Sequence, residues 1–173
     1  DLMMRGHSIE VRLYAEDATN NFLPAIGPLA VFRAPTGPGI RLDTGVREGD
    51  IVTPNYDPML AKLIVWAPSR VEALERMRRA LDEFVVLGTT TNIRFLRELC
   101  DNRDVVSGRT DTTLIERVWP NGWTPTYSDT SLDSALMVAA VSESAGLHRT
   151  QAHKVESNDG PVSPFQSLNR RYP

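Results

Sequence analysis

The chain has 173 residues and a formal net charge of −3, with 41% hydrophobic and 24% charged residues, as in an average water-soluble globular protein. The weak negative charge gives no support for binding to nucleic acid or to an anionic membrane surface. The apolar runs are too short to cross a bilayer. The single Cys100 excludes an internal disulfide and fits a reducing compartment.

Five segments of the first 70 residues have the pattern of β-strands. In chain order they are Ser8–Tyr14, Leu29–Phe32, Ile40–Asp43, Ile51–Val52 and Met59–Trp66. Alternation in the third segment places Arg41 and Asp43 on one face of the strand and the apolar residues on the other. The fifth segment is an apolar run interrupted by Lys62, which predicts a largely buried strand.

Three helices are predicted in the following part of the chain. The first has Ser69 as its N-cap, and Glu72 three residues later completes a capping-box pattern. Apolar residues then recur at helical spacing as far as Leu81. The second and third helices are expected over Asn92–Leu99 and Thr112–Val118, capped by residues 89–91 and by Asp111, respectively.

A domain boundary is predicted near residue 120, because residues 120–130 are rich in Pro, Gly, Ser and Thr. A separate helix follows over Leu132–Ala145, and its residues are nearly all small or apolar. A lone helix cannot keep such a surface in water, so we expect it to dock on other strands or on another subunit. Because the chain begins with Asp1 and stops at Pro173 without a closing element, we expect both ends to be cuts through a longer polypeptide.

Seven short segments together resemble the C-terminal domain of biotin carboxylases, in order along residues 5–117. They are Gly6–Arg12, Tyr14–Asp17, Phe22–Pro24 with Gly27-Pro28, Gly39–Arg41, Tyr56–Met59, Lys62–Ile64 and Thr91–Ile93. The resemblance implies an α+β fold with a small antiparallel sheet and packed helices over residues 1–120, of which residues 1–17 could be shared with an ATP-grasp domain. A partial second domain, residues 121–173, would follow it.

The resemblance also implies the chemistry. In this family MgATP and bicarbonate form carboxyphosphate, which carboxylates the ureido nitrogen of biotin on a separate carrier domain. The ATP-grasp domain, with its Mg²⁺ or Mn²⁺ site, is expected upstream of Asp1, so this chain alone is expected to be inactive and to hold no bound cofactor. No metal ligand is predicted, because the adjacent carboxylates of Glu16 and Asp17 point in different directions and lack partners.

One residue is predicted to be both catalytic and cofactor-binding. Arg41, in Gly39–Arg41, matches the family arginine near bicarbonate, carboxyphosphate and the biotin ureido oxygen. A guanidinium stays charged and offers planar donors to carboxylate-like or phosphate-like oxygens. It can also stabilise the negative charge that develops on the ureido oxygen. Without the resemblance, Arg41 would be interpreted as a surface arginine paired with Asp43.

The residues after 120 indicate the type of carboxylase from which the chain comes. They resemble the carboxyltransferase-binding region of methylcrotonyl-CoA carboxylase α subunits, with an apolar helix followed by Ser163-Pro164-Phe165 and then by Arg170-Arg171. The resemblance implies 3-methylcrotonyl-CoA as acceptor, in leucine degradation; propionyl-CoA and acetyl-CoA carboxylase α subunits stay open. Its implied partners are the ATP-grasp domain, the carrier domain and a carboxyltransferase β subunit in an oligomer. The implied compartment is the bacterial cytoplasm or the mitochondrial matrix.

Two other classes of function compete. Lys62 could be the modified lysine of a biotinyl or lipoyl carrier domain, but such a lysine must lie on an exposed hairpin tip, and Lys62 lies inside an apolar run. The chain could instead be a non-catalytic assembly domain, in which Arg41 would have no role in turnover.

Several further residues have a structural and a functional interpretation. His7 is predicted to be a hydrogen-bonded structural residue rather than a general base, because no nucleophile is expected beside it. Lys62 needs a partner if it is buried, and Asp57 and Glu83 are the candidates. Trp66 and Arg70 match positions where the bacterial family places part of its homodimer contact.

Overall fold

The structure is a computed structural model, and it describes residues 3–127, 134 and 136–141. The chain divides into two units, residues 1–126 and residues 127–173. In the second unit, Ser134 and residues 136–141 are helical, while the rest of the helix predicted over Leu132–Ala145 lies outside the described residues. The predicted Ser-Pro-Phe segment and arginine pair also lie outside them.

The first unit contains short strands followed by helices. Its described strands are β1 (His7–Tyr14), β2 (Glu16–Asp17), β3 (Leu23–Pro24), β4 (Gly27–Pro28), β5 (Val31–Arg33), β6 (Ile40–Thr44), β7 (Ile51–Val52), β8 (Met59–Ala67) and β9 (Val85–Leu87). Its described helices are α1 (Arg70–Glu83), α2 (Ile93–Leu99), α3 (Arg103–Ser107) and α4 (Leu114–Val118), with a 3₁₀ turn over Ala18–Asn20.

The main sheet has three antiparallel strands in the order β1-β8-β6. Leu63 in the middle of β8 lies opposite Val11 of β1 on one side and Leu42 of β6 on the other, so apolar residues of all three strands share one face. The remaining strands form three two-stranded antiparallel sheets, β2-β3, β4-β7 and β5-β9. The predicted α+β fold on a small antiparallel sheet is therefore confirmed for the first unit.

Helix α1 covers the apolar face of the main sheet. The Ser69 hydroxyl accepts a hydrogen bond from the backbone N–H of Glu72, as the capping box predicts, and the helix ends at Glu83. The core residues of this layer are fully or nearly buried: Leu13, Leu63, Val65, Ala73, Leu74, Met77, Ala80 and Leu81. Helix α2 adds Phe95, whose ring lies 4.9 Å from that of Phe22 and 5.8 Å from that of Trp123.

Several element boundaries differ from the sequence predictions. The strand predicted to begin at Leu29 begins at Val31, because Leu29 is instead fully buried and bonds through its N–H to the Asp50 carbonyl. The threonine run does not cap α2, whose N-cap is Asn92. Asp111 accepts a hydrogen bond from the Thr113 N–H at 2.9 Å and so closes a turn just before α4.

Helix α3 was not predicted from the sequence. Its N-cap Asn102 accepts hydrogen bonds from the N–H groups of Asp104 and Val105, and Gly108 ends it in the left-handed conformation.

In the part of the chain that the structure describes, no helix is long and apolar enough to span a membrane.

Candidate active-site face of the sheet

The face of the main sheet opposite α1 is charged. It presents Glu10 and Arg12 from β1, Lys62 from β8, and Arg41 and Asp43 from β6, and these five residues are called the charged face below. The strand register orders them in two rows. Arg12, Lys62 and Asp43 form one row across the three strands, while Glu10 and Arg41 lie on either side of Ile64 in the next. The same alternation that buries the core residues thus gathers the charges on one surface.

Within this face, Arg41 and Asp43 form a two-point ion pair. Arg41 Nε donates to Asp43 Oδ1 at 2.8 Å and Arg41 Nη2 donates to Asp43 Oδ2 at 2.9 Å. The hydrogen bond to Arg41, followed by the charges of Arg41 and Lys62, lowers the pKa of Asp43. Because the Arg41 side chain is 74% exposed, its unused donors can reach an approaching anion.

The backbone of Gly39, two residues before Arg41, fixes how the chain enters β6. Gly39 has a φ of +73°, which L side chains rarely adopt, and a Cβ there would lie 2.6 Å from the carbonyl oxygen of Trp66. The Gly39 carbonyl in turn accepts a hydrogen bond from the Trp66 N–H at 2.9 Å. The glycine of the Gly39–Arg41 motif therefore sets the close approach of β6 to β8.

Lys62 lies in the middle of β8 and not at a hairpin tip. That position does not fit the modified lysine of a carrier domain. Lys62 lies opposite Asp43 in the strand register, while the Asp57 carboxylate accepts a hydrogen bond from the Met59 N–H at 2.8 Å. That Asp57 or Glu83 is the partner of Lys62 stays a prediction. The half-buried lysine thus adds positive charge beside the Arg41–Asp43 pair.

On the β1 side of the charged face, Arg12 Nε lies 3.6 Å from Glu10 Oε1. Nearby, Asn92 is the one buried polar residue among those described. Its side-chain oxygen accepts from the Tyr14 N–H at 3.0 Å, and its amide donates to the Arg12 carbonyl at 3.2 Å. In the sequence, Asn92 is visible only as part of a family motif and as a helix start, and no local pattern predicts its hydrogen bonds to the end of β1.

His7 is hydrogen-bonded to Arg70 at the start of β1. Arg70 Nη1 donates to His7 Nε2 at 2.9 Å, and the same guanidinium donates to the carbonyls of Val105 and Val106. Arg70 thus joins the start of β1 to α3.

Trp66 remains nearly half exposed, and its indole N–H donates to the Arg5 carbonyl at 3.3 Å.

The carboxylates of β2 serve local structure. Asp17 accepts hydrogen bonds from both the N–H and the hydroxyl of Thr19, which lower its pKa. Burial, reinforced by the charge of Asp57, raises the pKa of Glu16. Over the described residues, no group of three His, Cys, Asp or Glu side chains is placed to hold a metal ion. The donor set here suits an anion at Arg41 better than it suits a cation.

Comparison with curated proteins points to one family. The family model described as biotin carboxylase C-terminal domain matches residues 10–117. The chain is 37% identical to the mitochondrial methylcrotonoyl-CoA carboxylase subunit alpha of Dictyostelium discoideum, over 96% of this chain and 23% of that protein. It is 46% identical to the biotin-dependent acyl-coenzyme A carboxylase alpha3 subunit of Mycobacterium leprae, over 74% of this chain and 22% of that protein. The chain therefore spans less than a quarter of these relatives.

Solved structures agree with the sequence comparison. The biotin carboxylase domain of Hydrogenobacter thermophilus 2-oxoglutarate carboxylase, solved as a dimer with MgADP and bicarbonate, is 39% identical with a TM-score of 0.65, covering 67% of this chain and 25% of that one. Pyruvate carboxylase from Rhizobium etli is 35% identical with a TM-score of 0.69, covering 74% of this chain and 13% of that one. With a family model matching more than half of its length, the chain belongs to the biotin carboxylase C-terminal domain family.

Proposed function

We propose that this chain is part of an acyl-CoA carboxylase α subunit that uses ATP and bicarbonate to carboxylate carrier-bound biotin. The family membership and the carboxylase relatives support the reaction class. The acceptor we propose is 3-methylcrotonyl-CoA, since methylcrotonoyl-CoA carboxylase subunits align with nearly the whole chain, including residues after 120. Propionyl-CoA and acetyl-CoA are the alternative acceptors.

The single observation that carries the proposal is Arg41 on the charged face. Its guanidinium is exposed, stays protonated at all physiological pH values, and retains donors that the pair with Asp43 does not use. Such a group can hold a carboxylate-like oxygen of bicarbonate and stabilise negative charge on a ureido oxygen. We therefore assign Arg41 the roles of catalytic and biotin-binding residue.

The described residues do not fit a site for Mg²⁺, because they bring together no set of metal-binding carboxylates. We propose that an ATP-grasp domain upstream of Asp1 supplies that part of the enzyme. The carrier domain and a carboxyltransferase β subunit complete the set of partners in an oligomer. We place the enzyme in the bacterial cytoplasm or the mitochondrial matrix.

The test is an Arg41→Ala variant of the full-length carboxylase. Loss of a group that stabilises developing charge should lower kcat/KM for biotin carboxylation by about 100-fold, while the thermal unfolding midpoint stays unchanged because the side chain is exposed. Arg109→Ala is the matched control, since Arg109 is also 74% exposed and ion-paired but lies beyond α3. Its activity should equal that of the wild type.

Unchanged turnover in Arg41→Ala would favour the alternative of a non-catalytic assembly domain. The same assay, run with the β subunit, identifies the acceptor. We expect carboxyl transfer to 3-methylcrotonyl-CoA to exceed transfer to propionyl-CoA and acetyl-CoA, and the opposite ranking would overturn the acceptor assignment alone.

A further inference from the structure

We propose that Asp43 is a positioning residue, which holds the Arg41 guanidinium in the orientation that the reaction needs. This inference rests on the proposed function, because it gives a role to a neighbour of Arg41. It concerns a residue that touches neither biotin nor bicarbonate but acts through the arginine.

The geometry of the pair limits the motion of Arg41. An arginine side chain on an exposed strand face has many rotamers, and fixing them costs about 2 kcal/mol. Two parallel N–H···O bonds, of 2.8 and 2.9 Å, hold the guanidinium plane against Asp43. They use Nε and one hydrogen of Nη2, so the donors of Nη1 and the other hydrogen of Nη2 keep a fixed direction.

Two neighbouring positive charges stabilise the ionised form of the Asp43 carboxylate. Asp43 lies directly opposite Lys62 in the register of β6 and β8, and the charges of both Arg41 and Lys62 favour its ionised form. The three side chains together carry one net positive charge. An anion approaching Arg41 therefore meets attraction without having to break the ion pair first.

Stability does not account for the pair. An exposed ion pair contributes between about 0 and 1 kcal/mol to folding, and the Arg41 and Asp43 side chains are 74% and 45% exposed. Orientation is what two short hydrogen bonds add beyond a single contact. Misplacing a catalytic group by about 1 Å can reduce a rate by up to about 100-fold.

The experiment compares Asp43→Asn, Asp43→Glu and a control in the full-length carboxylase. We expect Asp43→Asn to lower kcat about tenfold with less than about a twofold change in KM for bicarbonate, and Asp43→Glu to restore most of kcat. The control is Asp82→Asn, because Asp82 accepts a hydrogen bond from Arg97 Nε at 2.9 Å, a similar contact on the helical side of the fold. Its kcat should not change.

A second readout follows the arginine directly. In the 173-residue chain, the Nε–H resonance of Arg41 in ¹⁵N–¹H spectra should exchange slowly with water in the wild type and quickly in Asp43→Asn. Full or raised kcat in Asp43→Asn, or a loss no larger than in Asp82→Asn, would overturn the positioning role while leaving Arg41 catalytic. If Arg41→Ala is silent, the proposed function fails, and the role of Asp43 fails with it.

Discussion

Cys100 illustrates how burial controls a single reactive group. The thiol is only 4% exposed, and burial raises its pKa to about 11 although the charges of Arg78 and Arg97 act in the opposite direction. Only the thiolate is strongly nucleophilic, so Cys100 is unreactive near neutral pH in the folded chain. It is a core residue and not a candidate nucleophile.

This shift predicts a loss of stability at alkaline pH. The folded pKa lies above the ordinary value of 9.0, so the unfolded chain releases the proton first. The contribution of the protonated thiol to the free energy of unfolding is complete below pH 9 and is lost as the pH rises towards 11. The free energy of unfolding should therefore fall by on the order of 2 kcal/mol more in the wild type than in Cys100→Ala. Urea titrations at pH 8 and 10.5 measure the free energy of unfolding of both proteins. An equal decrease in the two proteins between these pH values would contradict the prediction.

Among the elements, β1 and α2 are joined by one buried side chain. Asn92 is 5% exposed and bonds to the backbone of both Arg12 and Tyr14 at the end of β1, while the Asn92 N–H donates to the Tyr14 carbonyl. The register of β1 against β8 shifts between Leu13 and Tyr14. Asn92 thus satisfies backbone groups at the point where regular strand pairing ends.

We expect Asn92→Ala to lower the free energy of unfolding by about 2 kcal/mol, because it removes two part-buried hydrogen bonds, to the Tyr14 N–H and to the Arg12 carbonyl. Asn55→Ala, at an exposed position, is the control and should change stability by less than about 0.5 kcal/mol. Urea denaturation of the two variants gives both values. Equal effects would show that water replaces the Asn92 amide at no cost.

At the scale of the whole molecule, the segment just after residue 120 is part of the core of the first unit. Trp123 is 5% exposed, packs against Phe95, and donates its indole N–H to Glu98 Oε2 at 2.8 Å. We therefore propose that the first domain extends to Thr126, six residues past the boundary that composition suggested.

Two truncations test this extent. A chain ending at Thr126 should unfold at the same temperature as the first unit of the full chain. A chain ending at Pro120 loses the buried indole and should be about 3–5 kcal/mol less stable. Thermal unfolding monitored by circular dichroism compares them, and equal midpoints would restore the boundary near residue 120.

Local patterns were sufficient to predict the strands that carry the core. Alternation identified β1 and β6, and the capping box with helical spacing identified α1. Helix α3 was missed because its only apolar residues, Val105 and Val106, are adjacent and show no helical period, and only its caps, Asn102 and Gly108, mark its ends.

The charged face was predictable only in part. Alternation alone places Arg41 and Asp43 on the same side of a strand. The row that joins Arg12, Lys62 and Asp43 depends on pairing between distant segments, which no local pattern encodes. The same holds for Asn92, whose partners lie 78 and 80 residues away along the chain.

The register of β6 on β8 also separates two kinds of sequence change. Because side chains alternate between faces, one residue inserted between Leu42 and Asp43 would place Asp43 on the face opposite Arg41 and break their ion pair. Leu42 and the residues before it would keep their places in the sheet. An insertion at this point is therefore expected to disturb the charged face first, whereas replacing Arg41 or Asp43 leaves the strand register intact.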